Sequence, residues 1–414
     1  MDNVRAITRS IRRTMTDGGV MATAVLCIAC DASPGDRLQD FSVRDSAGIE
    51  IVENRGEIAE FPLPSEPQLR LGRQDGPPQY QMFRVRDALE LDDGSVVVVS
   101  QIEPLIRIFA ADGTLRAFFG SLGEGPREFG LPQRVWQAGA DSLVIYDWRN
   151  RRLAYWTAGG GFLSVSPLRP IPPTPIPGGR FRDGSVLVTS IVMTRADDFT
   201  WSPLIGVRFA GSGALRDTVF NVPGWNLGPV DIGGETVLLA RHFEGLAGAK
   251  AIDGGIALTL GDAYEVRILA PDGRLARLVR WAGRDRTVTQ AHMAAAREEA
   301  VRSAATDDQR QQALRFFDAT PAAEQFGTVA GLRAAPDGGF WVREWRHPGD
   351  PEGERWLAFD GEGRLLGRLA LTSGAQLTRI GRQNLIVIEQ DELDIEYVSL
   401  YPLPTELARP SGVR

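Results

Sequence analysis

Arginine recurs where a ligand would need to be held. Arg84, Arg134, Arg180 or Arg182, Arg241, Arg333 and Arg379 each stand at or near the start of a segment followed by a turn and a β-branched run. Guanidinium groups are permanently charged forks that grip carboxylates, phosphates and sulfates through paired N–H bonds. If those segments line one channel, their arginines form a ring suited to an anionic small ligand. Trp136 follows Arg134 by two residues and His242 adjoins Arg241, so both are candidate ligand contacts, as is Trp148. The competing reading is that an arginine-rich chain places arginine everywhere, each paired with a local acid. Only Lys250 among the 46 basic residues is lysine, which reads as codon bias.

Other chemistries find less material. The three histidines, His242, His292 and His347, are too widely spaced for a His-rich metal site. Acids concentrate at Glu389–Glu396, and Asp350 and Glu352 share a loop, but neither run has the glycine spacing of a calcium loop. Gly120–Gly125 and Ala158–Gly161 lack the Gly-Lys-Ser/Thr of a phosphate loop and open no helix. No Gly-x-Ser-x-Gly elbow occurs. The sequence therefore nominates no catalytic residue, no metal and no cofactor. A net charge of -7 argues against a general nucleic-acid binder.

The elements that must position these side chains are short strands. With 43% hydrophobic and 24% charged residues, the chain has the composition of a folded protein. A turn followed by a β-branched strand recurs six times, at Asp93, Asp141, Asp183, Asp253, Asp337 and Asn384. The first two steps are 48 and 42 residues, the length of a four-stranded propeller blade. Asp-Gly and Gly-Gly pairs, as at Asp112-Gly113 and Asp272-Gly273, supply hairpin turns. A β-sandwich also strings short strands together, but its strands do not recur as a four-strand unit.

The long step from 253 to 337 holds a helical insertion over 287–322. Thr287…Gln290 and Thr306…Gln309 each match a capping box, and Pro321 stops the second helix. Strand Gln68–Gly72 precedes the first complete unit, so it is expected to close the ring as the outer strand of the last.

The N-terminus reads as an export signal. Arg5, Arg9, Arg12 and Arg13 precede an apolar run from Val20 to Ala29, followed by Cys30 and a polar linker. The run is too short for a comfortable membrane span. Cys30 after Ile28-Ala29 resembles the lipobox of bacterial lipoproteins, with Cys27 where Leu is usual. That resemblance implies cleavage before Cys30 and lipidation of its thiol; a non-lipidated cut near Ala29 or Ala32 is the alternative. Translation start is open between Met1 and Met15, and a buried apolar helix is the structural alternative for this segment.

Val43–Asn54, the loop Gly123-Glu-Gly-Pro-Arg-Glu-Phe129, and Trp341–Trp345 before Trp356–Gly361 carry a resemblance to NHL-type six-bladed β-propellers. More narrowly, the chain resembles exported bacterial propeller lipoproteins of unassigned role. The resemblance implies an all-β fold, a six-bladed propeller over 68–403; the capping boxes and the long step place the helical hairpin between blades four and five. Residues 1–29 are then signal, 30–67 linker and N-terminal hairpin, and 404–414 a tail.

This reading describes a non-enzymatic envelope protein, tethered by lipid, that presents a propeller face to an anionic small ligand or a protein partner. Its site residues are Arg84, Arg134, Trp136, Arg182, Arg241, His242, Arg333 and Arg379. The alternative is a hydrolase or lyase of the lactonase kind with a metal at the channel mouth. That chemistry needs converging acidic ligands, and the inner strand starts offer Asp87 and Glu90 alone.

Overall fold

The computed structural model describes residues 39–103, 105–302 and 304–407. Cys30, Cys27, the cleavage site, both candidate start codons and residues 408–414 lie outside the described residues.

Strand formation follows local chemistry. Val96–Ser100, a run of valines ended by serine, is buried along its whole length. The run enters through a tight turn whose design recurs in the chain. The Asp93 carboxylate accepts from the Ser95 N–H at 2.9 Å while Gly94 takes φ 78°. Asp112, Asp183, Asp272 and Asp337 repeat the bond with the N–H two residues on. These bonds favour the ionised acid, so Asp93 and Asp112 titrate below the usual range; at Asp183 the Ser185 hydroxyl contributes most, ahead of its N–H, and holds the carboxyl at about 2.

The strands form six sheets, numbered here in chain order by their first strands: Val85–Glu90, Pro132–Gly139, Ile176–Arg180, Gly248–Ile252, Val329–Ala334 and Ala375–Ile380. Each sheet is built up as an antiparallel meander from its first strand outward. The first strands of neighbouring sheets touch all the way round, including the sixth against the first. Six apolar clusters fill the gaps, one for each pair of adjacent sheets. One of them, with Met82, Val98, Ile386 and Val398, joins the sixth sheet to the first. Inner strands around a common axis, with apolar packing between radially arranged sheets, make this a β-propeller.

The N-terminal segment runs along the outer edges of three sheets. The hairpin Gln39–Ser46 and Ile49–Gly56 extends sheet four, with Ile49–Gly56 parallel to Leu275–Trp281. Glu60–Pro62 adds in parallel to sheet five. Leu69–Leu71 pairs antiparallel with Glu396–Pro402 and completes sheet six. The early strand therefore does close the ring. Covering outer edges removes unpaired backbone groups that would otherwise template association.

One residue ties this strap to two sheets. Asn54, 5% exposed, donates to the carbonyls of Arg280 at 3.1 Å and Gly363 at 3.0 Å, and accepts from Leu365 N–H at 2.8 Å. Its amide is thus satisfied on both ends between sheets four and five.

Two helices, α1 (Gln290–Arg302) and α2 (Asp307–Ala319), lie in the chain between sheets four and five. Thr306 and Gln309 form the capping box of α2. The box proposed for α1 is corrected. Thr287 bonds Asp285 instead, and the reciprocal pair is Thr289 with His292: His292 N–H donates to Thr289 Oγ1, while Thr289 N–H donates to His292 Nδ1 at 3.2 Å. A neutral imidazole does the work of a capping Gln because it, too, presents an acceptor one turn up. The pair is fastened at both ends. His242 Nε2 bonds the Phe317 carbonyl and stacks on its ring, and Arg346 pairs with Glu299.

Replacing Asn54 by alanine strands one buried N–H and two carbonyls. The expected loss is about 2–3 kcal/mol, read as a lower midpoint in urea unfolding; an unchanged midpoint would show that the strap is not coupled to the ring.

Candidate functional site

The site lies on the inner strands. These strands are irregular at one level. Register shifts fall between Val85 and Asp87, at Pro132 and Arg134, and between Pro177 and Gly179, Val329 and Gly331, and Leu377 and Arg379. A bulge re-aims the side chain that follows it, and Asp87, Arg134 and Arg379 are such residues.

Asp87 is the organising group. It is fully buried and accepts from Arg134 Nη1 at 3.1 Å, from Val135 N–H at 3.0 Å and from Arg379 Nη2. Arg379 Nη2 also donates to the Val135 carbonyl at 2.8 Å. One carboxylate on sheet one thereby binds sheets six and two. Its two arginines are held in fixed orientations, while Arg379 Nε stays buried with no hydrogen-bond partner in the protein.

Next to this clasp is a cavity of about 170 Å³ with Arg134, Arg180, Lys250, Arg333 and Arg379 in its wall and Trp136 beside them. No lining residue is acidic. Lys250 Nζ donates to the Pro177 carbonyl at 3.1 Å, and Arg180 Nη1 to the Gln137 carbonyl at 3.4 Å. Arg333 donates from Nε to Thr378 O and from Nη1 to Leu332 O, both at 3.1 Å, with its guanidinium 5.2 Å from the Trp356 ring centre. Three of the five cations thus use neutral carbonyls as acceptors and have no carboxylate partner.

Sheet three makes the space. Its inner strand carries Pro177-Gly178-Gly179, with no long side chain over three residues. A Cβ on Gly179, at φ +139°, would stand 3.0 Å from that of Ala251, so only glycine permits this approach of sheets three and four. Lys250 reaches across the shallow strand to Pro177.

The electrostatics match the wall. Burial, then Arg134 and Arg333, push the Lys250 ammonium down to about 7; Asp87 opposes this. Burial with Arg134 also lowers Arg333 to about 10. Both shifts mean that positive charge in this cavity is costly and that an anion would relieve the cost.

The cavity shares Ala334 and Arg379 with a wider cleft of about 720 Å³, which runs along the ends of the inner strands of sheets one, two, five and six. A third cavity, of about 340 Å³, lies between sheets four and five. Three of its four cations already have carboxylate partners: Arg284 with Asp350, Arg346 with Glu299, and Arg368 with Glu344 and Glu60. It offers an anion far less than the channel does.

Five sequence-nominated residues converge here: Arg134, Trp136, Arg180, Arg333 and Arg379. The others do not. Arg84 precedes its strand, exposed, at φ 49°. Arg182 sits past the strand end in a turn, its side chain 81% exposed and paired with Asp253; Arg180 is the arginine of sheet three that enters. Arg241 follows the extra fifth strand of sheet three, 3.9 Å over the Phe199 ring, and belongs to no inner strand. His242 serves α2 as described. Trp148 packs in the core between sheets two and three. Glu90 bonds Asn384 Nδ2 at 2.9 Å, and burial raises its pKa. His292 and His347 lie 5.6 Å apart, but as aromatic partners of Phe326.

No family model and no curated protein matches this chain. Solved structures of similar course include a DUF4221-family protein of Bacteroides vulgatus, at 8% identity over 81% of this chain and 96% of that one, TM-score 0.47. Virginiamycin B lyase of Staphylococcus aureus matches at 10% identity over 81% and 99%, TM-score 0.40. A gluconolactonase of Xanthomonas campestris matches at 13% identity over 78% and 87%, TM-score 0.39. At these identities no activity transfers.

The Lys250 shift has a defined sign. Below pH 7 the amine is protonated folded and unfolded, so the fold bears the full cost of the charge. Between about 7 and 10.4 the unfolded chain holds the extra proton, and stability rises with pH. Lys250→Met should therefore stabilise the empty protein at pH 6, on the order of 1–2 kcal/mol, with the gain fading towards pH 10. Melting curves at both pH values check this; an equal effect at both would contradict it.

Proposed function

We propose that this propeller is a binding protein whose central channel holds a small anion through Arg134, Arg180, Lys250, Arg333 and Arg379. The observation that carries the reading is the composition of the cavity wall, five basic side chains and no acid, with Asp87 engaged behind it. Carboxylate and phosphate are the ligand chemistries such a wall recognises. A wall of this sign repels a divalent cation, so the metal-dependent lactonase reading finds no support in it.

In this reading the six sheets are six blades of the NHL kind spanning 68–403, with the helical pair inserted between blades four and five. The chain is exported, and Cys30 carries the lipid that holds it to a membrane.

Phosphate and citrate should raise the melting temperature beyond sodium chloride at equal ionic strength. A ligand at about 100 times its Kd adds about 2.7 kcal/mol. Arg134→Gln with Arg333→Gln should remove the difference, whereas Arg182→Gln, outside the cavity, should keep it. Equal stabilisation by all three salts would indicate screening alone and would overturn the reading.

A further inference from the structure

Among 46 basic residues this chain uses lysine once. Lysine is usually an exposed residue. Here it stands on the inner strand of sheet four, in the wall of the channel cavity, among four arginines. Arginine satisfies every other basic position in the chain. A site that needed only positive charge would be served by arginine again. Lysine differs in that its nitrogen can lose a proton and act as a nucleophile, which a guanidinium cannot do.

The surroundings favour that neutral form. Guanidinium groups of Arg134 and Arg333 act on the amine through space, and burial removes the water that would stabilise its charge. A lysine desolvated beside other cations is the general arrangement of an activated amine. The bond to Pro177 O uses one N–H as donor; a neutral amine in that bond keeps its lone pair. The cavity is open rather than enclosed, so a small solute can reach it.

We propose that Lys250 captures a 2-oxo acid in the channel as an imine, with the acid's carboxylate held by Arg134, Arg333 and Arg379. This rests on the reading of the channel as an anion site and adds the covalent step. The Nζ lone pair forms a bond to the carbonyl carbon, and the π pair moves to oxygen. A proton passes from nitrogen to that oxygen to give the carbinolamine. Loss of the hydroxyl with the second nitrogen proton releases one water and leaves C=N. Nothing is oxidised or reduced, and hydrolysis reverses the step.

The test uses the full chain at pH 7.5 with 2-oxoglutarate and cyanoborohydride, and N-acetyl-lysine in the same tube as a reference amine. Peptide mapping by mass spectrometry locates the reduced adduct. The expected result is modification of Lys250 on the order of tenfold faster than the reference amine. Lys250→Arg should show no adduct at that position while still being stabilised by glutarate, which has the two carboxylates but no ketone. Stabilisation by glutarate with Lys250 unmodified, or modified no faster than the reference, would overturn the imine and leave the anion site standing. Absence of both effects would overturn both.

Discussion

The Asp87 carboxylate is the interaction on which the centre of this propeller depends. A buried charge is tolerated only when its hydrogen-bonding capacity is met and an opposite charge is near. Asp87 meets both needs by taking Arg134 from one neighbouring sheet, Arg379 from the other, and the Val135 N–H between them. The clasp sits where the ring joins, since sheets six and one are the two ends of the repeat. It also fixes two guanidinium groups before any ligand arrives, which lowers the ordering cost of binding. Its hydrogen bonds go to those two arginines, so Arg180, Lys250 and Arg333 have no carboxylate partner. Fold closure and ligand preference thus share one residue.

The outer circumference is secured differently. There the strap of residues 39–71 adds strands to sheets four, five and six, and Asn54 satisfies backbone groups from two of them. Apolar packing between sheets supplies the bulk of the cohesion, and it is continuous around the ring. The centre can therefore afford like charges that a smaller core would not tolerate.

Much of the frame was legible because its signals are local. An aspartate that caps its own turn, a glycine at positive φ and a strand-forming run together announce a hairpin, and they stand at the second strands of sheets one, three and five. Closure by Leu69–Leu71 was legible from the strand count. The parallel additions to sheets four and five were not, because pairing with a strand some 230 or 310 residues away leaves no mark on either segment. Site residues divide in the same way. Arg134, Arg333 and Arg379 were readable as inner-strand arginines. Arg84 was misplaced because the strand begins one residue later, at Val85, and it is the bulge after Val85 that brings Asp87 to the clasp. Arg241 was misplaced because sheet three continues through Leu215–Ile232 into a fifth strand, which defers the inner strand of sheet four to Gly248. That strand, Gly-Ala-Lys-Ala-Ile, has no strong strand formers at its start, and Lys250 passed as a residue of composition. The signal that could have found it was its rarity.

That rarity also permits the most direct test of the account. Lysine-selective isotope labelling gives a single side-chain signal for Lys250, and its titration can be followed by NMR with and without phosphate. The account predicts a midpoint near pH 7 in the empty protein, moving upward when phosphate occupies the channel and favours the charged amine. A midpoint at the ordinary value of about 10.4, unmoved by phosphate, would contradict it.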